Sequence, residues 1–337
     1  MHYKALAAAL ITTLPLLAHA QSNVTIYGTM DAAVAIEDTD APGEKRRTVV
    51  NSGNQSSSRL GFRGTEDLGN GLKAMFNIEA GVALDTGAAD SALFGRRAVV
   101  GLQGGFGQLT VGREYSPIAS VAAATDVFGQ GFYGSNLSAF TTNRLTRRLA
   151  NSVNFKSAPV AGFSLLAAWS AGERTVEPSG DLTGVALEYV NGPFYVGAGY
   201  HRLERIVFHH DSERVLGAGY KLGNFDFKAN YLSADQAGSN NKFEQTNVGA
   251  AYGIGANKFF VNLQRNEIES GARGNAWAIA ASHSLSKRTN LYTSYGTVRN
   301  NARAVFGLNS SSTNVTPPAT ALGADPSAFT VGVRHMF

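Results

Sequence analysis

The sequence predicts an all-β fold, a 16-stranded antiparallel transmembrane β-barrel with short turns at one end and long loops at the other. Three observations support this prediction. Only 16% of the 337 residues are charged, whereas soluble domains average about 25%. The mean hydropathy is -0.10, which is too low for a bundle of spanning helices. Apolar residues alternate with polar ones instead of being massed, as in a barrel whose outer wall meets lipid.

The same composition excludes several other classes of protein. After residue 20 no run reaches the ~18 uncharged apolar residues of a spanning helix, so a helical transporter is excluded. The chain has no cysteine, which excludes a disulfide framework and thiol or cysteine-ligated metal sites. Its 38 glycines follow no three-residue repeat, so a collagen-like fibre is excluded as well.

The first twenty residues have the pattern of a secretory signal. Lys4 gives a positive start, 5–18 is uncharged and mostly apolar, and Ala18 and Ala20 provide the small residues of a cleavage site. A short buried helix is the alternative. We therefore expect a signal peptide at 1–20 and a barrel domain at 21–337.

Alternation is clearest directly after that segment. Val24, Ile26 and Met30 share one parity, while Thr25 and Tyr27 share the other. A period of two predicts a strand with one apolar and one polar face. The pattern recurs at 59–63, 72–79, 163–170, 225–231, 259–264 and 329–337.

The connections alternate in length, which gives the strand count. Turns rich in Gly, Asn and Pro are expected at 67–71, 104–107, 157–162, 191–193, 223–224, 253–257 and 286–289. Longer polar loops are expected at 37–57, 84–94, 116–150, 172–183, 203–213, 234–243, 266–275 and 299–328. Fifteen connections imply sixteen strands, enough to enclose a water-filled lumen. A soluble sandwich or propeller, the alternative, would carry charge on its outer face.

The loop at 116–150 is the expected constriction of that lumen. It is long and rich in glycine and aromatic residues, and long loops in compact folds are functional or disordered. Its charged residues are one acid, Asp126, and three arginines, Arg144, Arg147 and Arg148. We expect it to fold inward, the alternative being a flexible surface loop.

Basic residues on the polar parity of the neighbouring strands should face this loop. The candidates are Arg59, Arg63, Lys73, Arg97 and Arg113. Several cations at one narrow point concentrate anions and repel cations, whereas a single arginine could simply pair with an acid. Arg96 adjoins Arg97, and alternation lets only one of the two point inward unless a bulge intervenes.

Other motifs are uninformative or absent. Aromatic residues near strand ends are expected to form the two girdles of a membrane barrel, the alternative being that they reflect β-propensity alone. They are Tyr189, Phe194, Tyr195, Tyr200, Tyr220, Phe225, Tyr252, Phe259, Phe260, Tyr292 and Tyr295. His209, His210 and Asp211 are read as a solvated loop rather than a metal site. No catalytic or nucleotide-binding motif occurs, so neither an enzyme, a cofactor nor a bound metal is expected. The pI of about 9.2 does not indicate nucleic acid binding, because the basic residues are dispersed.

Five stretches carry a resemblance to a known family, namely 24–28, 58–74, 95–102, 106–113 and 331–337. The chain resembles the trimeric general-diffusion porins of Gram-negative bacteria, especially the betaproteobacterial type. The resemblance implies a sixteen-stranded barrel, a third loop folded into the lumen and a homotrimer with three separate pores. It also implies that Phe337 belongs to a C-terminal signal for the outer-membrane assembly machinery.

One departure from the family bears on selectivity. The family's inward loop often has several acids opposite the basic wall, and here Asp126 alone occupies that loop. We therefore expect an anion-preferring channel for small hydrophilic solutes in the bacterial outer membrane, in contact with lipid and lipopolysaccharide. A substrate-specific porin is the first alternative, and a barrel enzyme or an adhesive barrel is less favoured.

Overall fold

The computed structural model describes residues 23–141, 144–207 and 209–337. The expected signal peptide at 1–20 lies outside these residues. In the part of the chain described, no helix is long and apolar enough to cross a membrane. The architecture is built almost entirely from antiparallel strands, so the all-β prediction is confirmed.

The strands and helices have the following bounds. The strands are β1 (Asn23–Asp38), β2 (Arg47–Ser52), β3 (Arg59–Gly69), β4 (Leu72–Gly81), β5 (Arg97–Gly104), β6 (Gly107–Tyr115), β7 (Arg148–Ser157), β8 (Phe163–Ser170), β9 (Leu182–Asn191), β10 (Phe194–Ile206), β11 (His209–Leu222), β12 (Phe225–Asp235), β13 (Phe243–Ile254), β14 (Asn257–Ile268), β15 (Arg273–Ser284), β16 (Thr289–Asn300), β17 (Leu308–Asn309), β18 (Asn314–Val315) and β19 (Ser327–Met336). The helices are α1 (Pro117–Ala124) and a 3-10 helix (Asn136–Phe140).

The sheet closes on itself because β1 pairs with β19 on one side and with β2 and β3 on the other. Positions 32–37 of β1 face β2 and positions 23–29 face β3, so β2 and β3 form one barrel strand interrupted at 53–58. The barrel therefore has 16 strands, as predicted. Closure leaves no strand edge exposed. A membrane-spanning sheet must be closed in this way, because lipid cannot form hydrogen bonds with free backbone groups.

Alternation divides each strand between lipid and lumen. Val100 is 61% exposed on the outer wall, whereas its neighbour Val99 is 4% exposed inside the barrel. Aromatic pairs near the short turns reinforce the outer face, for example Phe163 with Tyr189 at 4.6 Å between ring centroids. Three residues expected in the aromatic girdles, Tyr195, Phe260 and Tyr292, lie on the lumen face instead, since their parity matches that of buried neighbours.

Two of the long loops predicted from polarity are largely strand. The expected loop at 203–213 is short, because β10 runs to Ile206 and β11 begins at His209. At 266–275, Glu267 forms ion pairs with Arg265 at 3.0 Å and Arg273 at 2.9 Å. In both places the strand pairing continues through charged residues beyond the apolar band. The strand ends predicted from polarity alone were therefore misplaced.

The loop between β6 and β7 folds into the barrel, as expected. Ser116 caps α1 by accepting the amide of Ala119 at 3.2 Å, and Pro117 occupies the first turn, where no amide donor is needed. α1 packs against β9, β10 and β11, and its Ile118 and Val121 are fully buried. Apolar packing therefore holds the loop against one side of the wall.

Glycine residues in the barrel wall allow the inward loop to pack close against the strands. A Cβ atom at Gly217 would lie 2.5 Å from Thr125 Oγ1, and one at Gly249 would lie 2.3 Å from Val127 Cγ1. Real Cβ atoms are not found so close to other heavy atoms. Part of the glycine content therefore serves to seat this loop on the wall.

Replacing Gly249 with valine is expected to move the loop toward the open side of the lumen and to lower single-channel conductance. Overpacking of this kind costs roughly 1–3 kcal/mol. Gly253→Ala is the matched control on β13, because a Cβ there meets no atom closer than 3.9 Å. Equal conductance of the Gly249→Val variant and the wild type in planar bilayers would contradict this packing role.

The last long connection also turns inward. Its hairpin, β17 and β18, buries Leu308 and Val315, and the amide of Gly134 donates to the carbonyl of Asn309 at 2.9 Å. The expected loop at 299–328 is therefore partly a second inward segment that supports the first.

Candidate functional site

A cavity of about 550 Å³ lies between the inward loop and the wall formed by β3 to β8. Five basic residues face two acidic residues around it, so its net charge is positive. The charged lining residues are Arg59, Glu79, Arg96, Arg97, Glu114, Arg147 and Lys156. We call this space the constriction cavity.

Two carboxylates hold the guanidinium groups of the wall. Glu79 accepts from Arg96 Nε at 2.6 Å and lies 3.3 Å from Arg59 Nε, while Glu114 pairs with Arg97. The Arg96 side chain is 9% exposed, but those of Arg59 and Arg97 are 29% and 27% exposed. A guanidinium has five N–H donors, so Arg59 and Arg97 keep donors directed at the water of the lumen.

The loop contributes a cation from the opposite side. Arg147 Nη2 donates to Gln130 Oε1 at 2.9 Å, and its buried Nε has no hydrogen-bond partner among the described residues. Burial lowers the pKa of Arg147 to about 10, which leaves it protonated at neutral pH. The cavity is therefore flanked by positive charge on both sides.

The other two loop arginines have structural contacts. Arg144 lies against the rings of Phe243 at 4.1 Å and Phe306 at 5.1 Å, and burial lowers its pKa to about 10. Arg148 Nη2 donates to the Tyr115 hydroxyl at 2.9 Å. Neither side chain lines the constriction cavity.

Of the six predicted constriction residues, the structure places Arg59 and Arg97 on this cavity. Arg63 lies on the lumen face of β3 nearer the short turns, with its guanidinium 5.1 Å from the Tyr27 ring centroid. Lys73 lies at the end of the barrel that carries the short turns. It lines a separate recess, and Lys156 lines both this recess and the constriction cavity. These two cations therefore face the lumen but do not line the constriction cavity.

Arg113 differs most from its predicted position. It is in register with Ala98, on the same face as the exposed Val100 and Val111. Its Nε donates to the carbonyl of Gly95 at 2.7 Å. The register is irregular between Gly112 and Glu114, and Glu114 takes the inward place. The geometry therefore directs Arg113 outward.

Asp126 is also away from the cavity. Its carboxylate is fully buried and accepts the amides of Phe128 at 3.0 Å, Gln130 at 3.1 Å and Asn136 at 3.0 Å. Burial raises its pKa to about 6. The residue predicted as the acid of the constriction thus shapes the loop from within.

Sequence reasoning missed five cavity residues. Arg96 lies directly before β5. Strand alternation therefore does not constrain its side chain, which points inward. Lys156 shares the parity of Asn154 on β7, a signal that was present in the sequence. Glu79 and Glu114 are polar-parity residues whose pairing with arginine needed the register. Arg147 was only one of three candidate loop arginines.

Both ends of the loop are tied to one buried pair. Glu213 accepts the amide of Thr146 at 2.9 Å and its hydroxyl at 2.8 Å. His201 Nδ1 lies 2.9 Å from Glu213 Oε2, and His201 Nε2 accepts the amide of Ile118 at 3.4 Å. The start and end of the loop therefore meet at the same point of the wall.

A sixteen-stranded barrel with an inward loop beside a charged cavity is the arrangement of a diffusion channel. The family model described as Gram-negative porin matches residues 5–303. The chain belongs to the Gram-negative porin family. The short turns of this porin are accordingly periplasmic, its long loops are extracellular, and its channel spans the outer membrane.

Similar proteins cover nearly the whole chain. Outer membrane porin protein 32 of Delftia acidovorans is 29% identical, with 95% of each chain covered. An outer membrane porin protein of Bordetella pertussis is also 29% identical, with 98% of this chain and 99% of that protein covered. Among solved structures, an anion-selective porin from Comamonas acidovorans has a TM-score of 0.83 and 25% identity, covering 94% of this porin and 100% of that chain.

Proposed function

We propose that this porin is an anion-preferring channel for the passive diffusion of small hydrophilic solutes and ions. The observation that carries the proposal is the constriction cavity, where five basic residues outnumber two acidic ones. The similarity to a Comamonas porin described as anion-selective supports the same preference.

The geometry suggests how an anion passes. Arg59, Arg97 and Lys156 present donors that replace part of the ion's hydration shell. Their field extends about 10 Å at 0.1 M salt, so it acts where the lumen is narrow. Glu79 and Glu114 fix the guanidinium groups and reduce their net charge, which favours passage over tight binding. The result is a preference for anions and not an absolute exclusion of cations.

A salt gradient across a planar bilayer tests the proposal. The wild-type channel should give an ohmic current whose reversal potential has the sign of anion preference. A reversal potential of cation sign would contradict the selectivity, and absence of ohmic conductance would contradict the channel itself.

The alternatives have weaker support in the site. A substrate-specific porin would need a line of aromatic residues, whereas the described cavity lining includes two, Tyr115 and Phe155. A barrel enzyme would need an accessible acid–histidine pair, whereas His201 and Glu213 are buried and bonded to the loop. We therefore propose transport without a catalytic step or a cofactor.

We also propose that the porin is a homotrimer in contact with lipid and lipopolysaccharide, and that 1–20 is a signal peptide removed near Ala20. An outer membrane protein of Vibrio cholerae with the same fold has been solved in a form described as a trimer. The apolar outer faces of β1 and β19, which include Val34 and Val331, offer a surface for a neighbouring copy.

Deleting Phe337 is expected to lower the amount of assembled trimer in the outer membrane severalfold. Its backbone amide donates to the Gly28 carbonyl at 3.2 Å, and its carbonyl accepts the Gly28 amide at 3.1 Å, so it completes the closing ladder. We propose that it also forms part of the signal for the assembly machinery. Phe337→Tyr, which retains the backbone pairs and the ring, is the control, and normal trimer yield of the deletion would contradict both roles.

A further inference from the structure

A second cavity of about 450 Å³ lies on the periplasmic side of the inward loop. It shares Gln55, Ser56 and Gly129 with the constriction cavity, so a solute leaving one enters the other. Five of its lining residues are basic and one is acidic. The charged residues are Lys228, Lys258, Lys287, Arg288, Arg334 and Asp226. We call this space the periplasmic vestibule.

The vestibule cations differ from those of the constriction in their partners. Among the described residues, none of these five basic side chains forms an ion pair within 4.0 Å. Lys228 Nζ donates to the backbone carbonyl of Asp126 at 3.2 Å, and Lys258 Nζ lies 5.1 Å from the Phe260 ring centroid. Arg334 Nε is buried without a hydrogen-bond partner. No carboxylate is therefore held in an ion pair with them, and Asp226 and Asp126 near Lys228 and Asp31 near Arg334 offset their charge only in part.

The neutral lining adds further donors. Hydroxyl and amide side chains stand among the cations, namely Ser282, Ser284, Ser286, Thr289 and Asn290. Ammonium and guanidinium groups form their strongest hydrogen bonds with carboxylate and phosphate oxygens. A small monovalent ion would engage only part of this set, whereas an anion with several charged oxygens can engage several donors at once.

We propose that the periplasmic vestibule is a second anion site, which holds multivalent oxyanions bearing phosphate or carboxylate groups as they leave the constriction. The inference rests on the proposed anion preference and deepens it. Because the vestibule cations lie on the periplasmic side of the loop, such an anion should hinder chloride current more strongly when added from the periplasmic side.

Inorganic pyrophosphate added to one side of single channels in a planar bilayer is the probe. Wild-type channels should show a voltage-dependent decrease of chloride current that is stronger from the periplasmic side. The double variant Lys258→Gln, Lys287→Gln should weaken that periplasmic block on the order of tenfold. The control is Lys45→Gln with Arg214→Gln, which removes two exposed basic side chains outside the vestibule.

The outcomes separate this inference from the proposed function. A cation-selective wild type would overturn the anion preference, and the vestibule site with it. An anion-selective wild type whose periplasmic pyrophosphate block is absent, or unchanged in the vestibule variant, would overturn the vestibule site alone. A loss of block in the control equal to that in the vestibule variant would show a general charge effect and also overturn it.

Discussion

Replacing Arg59, Arg97 and Lys156 together with glutamine is expected to abolish anion preference. Around the cavity, Arg96 and Arg147 would then face Glu79 and Glu114, so the net positive charge disappears. The reversal potential in a tenfold salt gradient should shift toward zero or to cation sign, by tens of millivolts out of a limit of about 59 mV for a monovalent ion.

Two single variants serve as matched controls for this effect. Arg113→Gln and Arg214→Gln each remove one arginine whose side chain lies on the outer face or is exposed away from the cavity. Both should retain the wild-type reversal potential, and Arg63→Ser should shift it less than Arg97→Ser. A triple variant that keeps full anion preference would show that selectivity arises elsewhere in the lumen.

Replacing Asp126 with alanine is expected to loosen the inward loop and to make the current noisy and variable. Three buried amides would lose their acceptor, and each unsatisfied buried group costs about 1–3 kcal/mol. Asp126→Asn keeps one acceptor oxygen, which can serve the amides of Gln130 and Asn136, but its NH2 group would face the amide of Phe128, so it should loosen the loop less than Asp126→Ala does. Conductance noise and protease cleavage within 116–147 would measure the difference.

The same residue predicts a pH dependence. Burial raises the pKa of Asp126 to about 6 from its ordinary value of 3.8, so the folded loop binds this proton more tightly than the unfolded chain. The stabilisation is complete below about pH 3.8 and is lost as the pH rises through about 6. Protease resistance of the loop should therefore fall between about pH 4 and pH 6 in the wild type and not in Asp126→Asn. Identical pH profiles would show that Asp126 does not govern the loop.

Much of the barrel could be predicted because lipid imposes a simple rule on the sequence. Apolar and polar side chains alternate wherever a strand separates lipid from water, so the strand count and the inward positions of Arg59 and Arg97 followed from parity. The break at 53–58 within one barrel strand could not be predicted from parity, because its polar residues resemble those of an ordinary loop. β2 and β3, which lie on either side of this break, together form a single barrel strand.

The constriction was less predictable because its individual side chains depend on the exact parity of short strands, on strand ends and on loop contacts. Arg113 shares the outward parity of Val111 in an unbroken β5–β6 register, whereas Glu114 shares the inward parity of Thr110, so the prediction assigned Arg113 to the wrong face. Arg96 escapes the rule by lying outside a strand. Asp126 lies in a loop where parity has no meaning, and its role depends on three backbone amides that come together only in the fold.

The attachment of both loop ends to Glu213 and His201 has a consequence for the electrical behaviour of a single molecule. Because the loop is also bound along its length, by Lys228 at the carbonyl of Asp126 and by Asn309 at the amide of Gly134, its two ends cannot shift independently and it can move only when these contacts break together. Any fluctuation of the loop should then appear as steps between two current levels and not as a graded drift. Glu213→Gln would weaken the fastening at both ends at once.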